Sequence, residues 1–151
     1  MTMRSSVFKW GFGLWLVAFV FCALPARAAA GEVKFEAILV WGTNDDKSPD
    51  PSHKPVSEAM AKRLKDFKWS HYFEVARKEI TVGKDEIKVQ MSKDCVVSIK
   101  SLGDDQFEVN LFGKGKIVGT IKQKLQKDRC LVTGGNASNS TGWFVVIKRV
   151  R

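Results

Sequence analysis

From Val33 the apolar positions recur at every second residue: Val33, Phe35, Ala37, Leu39 and Trp41 fall on one face of an extended chain. The other face starts polar at Lys34 and Glu36 and turns apolar at Ile38 and Val40. A period of two predicts a β-strand, and a second apolar face predicts that its far half is covered on both sides. The stretch from Thr43 to Pro55 has no periodicity and holds Pro49, Pro51 and Pro55, so it predicts a stiffened polar loop. After it the period changes. Val56, Met60, Leu64 and Phe67 recur at helical spacing behind Ser57, whose hydroxyl can cap the first turn, and this predicts one amphipathic helix over 57–67.

The remaining signals are extended, over 72–82, 86–92, 95–101, 107–112, 116–125, 130–133 and 143–150. The turn signals between them are Gly83-Lys84-Asp85, Gly103-Asp104-Asp105, Gly113-Lys114-Gly115 and Gly134-Gly135-Asn136. The last segment is apolar on both faces, with Trp143, Val145 and Ile147 on one and Phe144, Val146 and Val150 on the other. It is therefore expected inside a sheet or under the helix. Eight short strands joined by tight turns predict a mainly β fold, an antiparallel β-sandwich with one short helix after the first strand, with a small β-barrel as the alternative. Immunoglobulin-like domains share this architecture, but their cysteine, tryptophan, cysteine order is missing, since no Trp lies between Cys95 and Cys130.

The N-terminus changes the picture of where this fold works. Arg4 and Lys9 precede and open an apolar run that ends at Leu24, and Ala26-Arg27-Ala28 offers small residues at the positions signal peptidase reads. We expect a secretory leader over residues 1–28, cut after Ala28 or alternatively Ala30, a single domain over 29–151, and a secreted or periplasmic protein. The run is shorter than the ~20 residues a membrane helix needs, so no transmembrane span is expected once the leader is removed. The chain carries +9, and a leader holding Arg4, Lys9 and Arg27 with no acid takes three of those charges, leaving +6. Asn136-Ala137-Ser138 and Asn139-Ser140-Thr141 match the glycosylation sequon, which in a eukaryotic secretory route would mark an exposed loop.

Cys95 and Cys130 are the two cysteines beyond the leader, and an even count in an exported chain predicts a disulfide, with two buried thiols as the alternative. Asn44, Asp46, Ser48 and Asp50 place side-chain oxygens at alternate positions, as the start of a calcium loop does. Pro49 then stands where the turn glycine belongs and Pro55 where the closing glutamate belongs, so Ca²⁺ is only a weak expectation and no other cofactor is expected. His53 with Asp46 or Asp50 supplies a base and an orienting carboxylate, without a nucleophile legible beside them. The two histidines, His53 and His71, are too few and too dispersed for a zinc site. Gly113-Lys114-Gly115-Lys116 lacks the spacing and the following helix of a phosphate loop and predicts a hairpin turn.

The strongest charge feature is Lys114, Lys116, Lys122, Lys124, Lys127 and Arg129, followed by Lys148, Arg149 and Arg151, against Asp128 alone. Strict alternation places Lys116, Val118, Thr120, Lys122 and Lys124 on one strand face. Exposed, that face would attract an anionic polymer or lipid; its alternative role is to keep an edge strand from pairing with another sheet. The sequence thus predicts a non-enzymatic exported binding or structural module that meets a protein partner or an anionic envelope polymer or lipid through its lysines, with nucleic acid not expected. The alternative is a small secreted enzyme or metal- or ligand-binding domain using the 44–53 loop, with Asp46, Asp50 and His53. A protease inhibitor offering the 134–142 loop has no reactive-loop signature behind it.

Overall fold

The computed structural model describes residues 31–137 and 139–150, so the leader expected over 1–28 lies outside the described residues. The strands are β1 (Val33–Thr43), β2 (Lys54–Pro55), β3 (His71–Val82), β4 (Ile87–Gln90), β5 (Cys95–Gly103), β6 (Gln106–Gly113), β7 (Lys116–Lys124), β8 (Cys130–Asn136) and β9 (Gly142–Arg149), with one helix, α1 (Glu58–Leu64). They form two antiparallel sheets, in the order β2-β3-β1-β9-β8 and β4-β5-β6-β7. Among the described residues both sheets end in open edges, which is a layered arrangement and not a closed barrel. The second sheet is a meander of consecutive strands.

The alternation along β1 and β9 explains the layering. Their odd-numbered residues, Phe35, Ala37, Leu39, Val145 and Ile147, pack with Val97, Ile99, Phe107, Val109 and Leu111 of the second sheet in one core. Phe35 and Phe107 meet edge to face across that core at 4.9 Å. Their even-numbered residues, Ile38, Val40, Phe144 and Val146, form a second cluster with Leu64, Trp69 and Tyr72 on the outer face of the first sheet. The apolar second face of the last strand is thus explained twice over: β9 lies between β1 and β8, and the helical segment covers it.

Ser57 caps α1 by accepting the Met60 amide N–H. The helix stops at Leu64, three residues short of the expected end, because the carbonyl of Leu64 is drawn into a turn by the Phe67 N–H at 3.0 Å and accepts the Tyr72 hydroxyl at 2.9 Å. Leu64 is fully buried; removing a side chain of that size from water contributes about 1.5–3 kcal/mol. Sequence punctuation failed at one place. Gly134, Gly135 and Asn136 are not a turn but the end of β8, paired with Phe144, Trp143 and Gly142.

The expected disulfide is absent: Cys95 and Cys130 are free. Cys95 packs into the core between the sheets, whereas Cys130 packs into the cluster on the helix side of the first sheet. That sheet separates them, and a bridge requires Cα atoms within about 7 Å. The alternative of two packed thiols holds.

Candidate functional site

The two ends of the inter-sheet core differ. At one end Phe35, Phe107 and Leu125 fill the space, and Arg149 ties β9 to the β5–β6 turn through Asp105 at 2.6 Å and the Leu125 carbonyl at 2.9 Å. At the other end the sheets enclose a cleft of about 730 Å³. Leu39, Val40, Trp41, Val75 and Trp143 of the first sheet line it, with Cys95, Phe112, Gly113 and Val118 of the second; His53, Ser92, Asp94, Lys114, Ala137 and Asn139 complete it. A cleft of this size with apolar walls and a few polar groups has the usual form of a small-ligand site.

Local irregularities in both sheets shape it. Along the β1–β3 ladder Leu39 pairs with Ala76 and Val40 with Glu74, so Val75 is an extra residue; along β6–β7 Leu111 pairs with Gly119 and Phe112 with Ile117, so Val118 is another. A bulge breaks the alternation and re-aims side chains. Both bulged residues, Val75 and Val118, line the cleft.

Trp41 and Trp143 are direct cross-strand partners. Trp143 lies against Gly135, where an added Cβ would stand 3.6 Å from its indole ring. The Trp41 indole N–H is buried and has no hydrogen-bond partner. Such a donor destabilises the protein by about 1–3 kcal/mol. Burial pushes the Cys95 thiol up, so it stays protonated at neutral pH and serves the cleft as an apolar wall. Lys114 sits at the mouth on the β6–β7 turn with positive φ, followed by Gly115, also with positive φ, which is the two-residue hairpin expected there. Its amide N–H donates to the Asp94 carbonyl at 2.8 Å and fastens that turn to the one before β5.

The six basic candidates are spread out rather than gathered. Lys114 and Lys116 stand at one end of β7, Lys122 and Lys124 at the other, ~25 Å of extended strand away, and Lys127 and Arg129 lie beyond it. Strict alternation also fails: the Val118 bulge places Lys116 opposite Gly113, in phase with the core-facing Leu111, while Lys122 stands opposite Glu108 on the outer face. Lys116 therefore leaves the face of Lys122 and Lys124 and joins the cleft side. Lys122 pairs with Glu108 at 2.8 Å, and this bond with that from Asn110 holds the Glu108 carboxyl below its usual range.

The 44–53 loop turns its oxygens to separate partners. Asn44 accepts from the Ser70 amide and hydroxyl, Asp46 lies 3.2 Å from His71, and Asp50 accepts from the Ser52 amide and hydroxyl, which lowers its pKa. Ser48 Oγ is 2.6 Å from His53 Nδ1. Among the described residues no group of three or more His, Cys, Asp or Glu side chains could hold a metal ion. Sequence reasoning missed the Ser48–His53 pair, for which five-residue spacing across two prolines gives no signal. The pair lacks a tight orienting carboxylate, since Asp50 stands 3.7 Å from Nε2 and is already bonded to Ser52. It braces the loop, and His53 forms part of the cleft wall.

Compared with known proteins, the chain matches no protein family, no curated protein and no solved structure. Among the described residues no helix is long and apolar enough to cross a membrane.

Proposed function

We propose that this protein is an exported, non-enzymatic binding module that holds a small ligand in the cleft between its sheets. The observation that carries this reading is that both sheets bulge at the same end and that each extra residue, Val75 and Val118, faces the cleft. The leader pattern supplies the extracytoplasmic setting. We take the two layers as a sandwich comparable to immunoglobulin-like domains in layering, an analogy that carries no function. A neutral apolar dye such as Nile red should bind the purified protein, and Val118→Trp, which places a large side chain in the cleft, should abolish that binding while the melting temperature stays within a few degrees. Equal dye binding by the variant would remove the cleft as the site.

One observation favours a second reading, a surface for an anionic envelope polymer or lipid. Lys88, Lys100, Lys122 and Lys124 share the outer face of the second sheet, where Glu108 pairs with Lys122. Retention on anionic vesicles that falls with salt and is lost on Lys122→Glu with Lys124→Glu would support it.

A further inference from the structure

We infer that the ligand of the cleft is an aryl anion: a flat ring system seated against the Trp41–Trp143 pair, with a carboxylate or similar anionic group at Lys114 and Lys116. This inference rests on the cleft reading and specifies its ligand. Three features lead to it.

The first is the shape of the wall. Trp41 and Trp143 stand side by side across β1 and β9, and the Trp143 ring lies beside Gly135 of β8. Two adjacent indoles make this wall largely aromatic, and aromatic surface favours offset stacking with another ring over contact with a flexible chain. A rigid ring also loses less conformational freedom on entering than an alkyl chain of equal size.

The second is the opposite wall, where Cys95, Gly113 and Val118 line the cleft while the Phe112 ring turns to the outer face beneath Lys88. The raised pKa of Cys95 keeps that wall uncharged, so the interior offers dispersion contacts and no fixed charge.

The third is the charge at the mouth. Lys114 lines the cleft, and the Val118 bulge turns Lys116 onto the same face of the second sheet. Among the described residues Asp94 is the one carboxylate lining the cleft; Lys114 lines it too, and Lys116, outside the lining, adds a second ammonium group on that face. The mouth therefore favours an anionic head group over a neutral or cationic one.

The test compares 2-naphthoate, decanoate and 2-naphthalenemethanol by calorimetric titration of the purified protein. The first two share a carboxylate and differ in shape; the first and third share a ring and differ in charge. Naphthoate should bind about tenfold or more tightly than either of the others. Lys114→Ala with Lys116→Ala, both exposed, should erase the advantage over the alcohol and leave the fold intact by circular dichroism. Trp143→Leu should erase the advantage over decanoate. Decanoate binding as tightly as naphthoate overturns the ring and leaves the cleft; the alcohol binding as tightly overturns the anion. Nile red bound in a Val118→Trp-sensitive manner while none of the three binds overturns the ligand class alone, and failure of the dye as well overturns the cleft reading with it.

Discussion

Trp69 lies on the outer surface of the first sheet over Gly42 and Gly142, a directly paired set of residues on β1 and β9. A Cβ at Gly142 would stand 2.2 Å from its indole nitrogen, and one at Gly42 would stand 2.6 Å from its ring. Close approach, not a turn, is what requires glycine here. Gly142→Ala should destabilise the protein by about 1–3 kcal/mol in urea denaturation, because Trp69 must move out of a packed cluster. Gly83→Ala, where nothing lies within 4 Å, should change stability by less than about 0.5 kcal/mol. Equal effects from the two would mean that Trp69 has room to shift. From sequence alone Gly134-Gly135 looks like punctuation, because the Trp143 carbonyl and the Phe144 ring that leave no room for a side chain at Gly134 come from the neighbouring strand.

At the level of elements, the extra residue in β7 separates Lys116 from Lys122 and Lys124. Deleting Val118 should make the β6–β7 pairing regular, leave Lys116 opposite Gly113 on the cleft side and remove part of the cleft wall. Dye binding should then weaken by about tenfold or more, while the melting temperature moves little, because β7 is an edge strand whose outer face is exposed. Unchanged dye affinity would show that the bulge is incidental to the cleft. The strands and the helix start were legible because alternation, capping and turn chemistry are local. The bulges were not, since each is a mismatch between two strands and neither strand carries a mark of it. The same reason hid the cleft: Trp41, Cys95, Val118 and Trp143 are spread along the sequence and share only a position near one end of the layers. The helix end was misjudged because Tyr72, from the following strand, claims the Leu64 carbonyl.

For the whole molecule, the acid side of the stability curve follows from carboxylates held by cations. Arg77 forms a two-pronged bond to Glu74, at 2.9 and 2.7 Å, and also bonds Glu36. The bond from Arg77 is the main cause that lowers the Glu74 pKa, and Lys122 does the same for Glu108. A carboxyl whose pKa is lower in the folded state adds stability that is complete above its unfolded value, about 4.3, and is lost as pH falls through the folded value. Melting temperature should therefore hold from neutrality to about pH 5 and drop below it, and Glu74→Gln should start lower and fall less steeply. Parallel curves for the two proteins would place the acid sensitivity elsewhere.

The position of the two thiols on opposite sides of the first sheet has a further consequence. Breathing of the folded protein cannot bring Cys95 to Cys130, so folding gains nothing from an oxidising compartment and loses nothing in a reducing one. An intramolecular crosslink between them can close only in a chain whose layers have come apart. Its appearance under oxidant would then act as a clock for global opening, recording how often a molecule has lost its fold rather than how the fold is held.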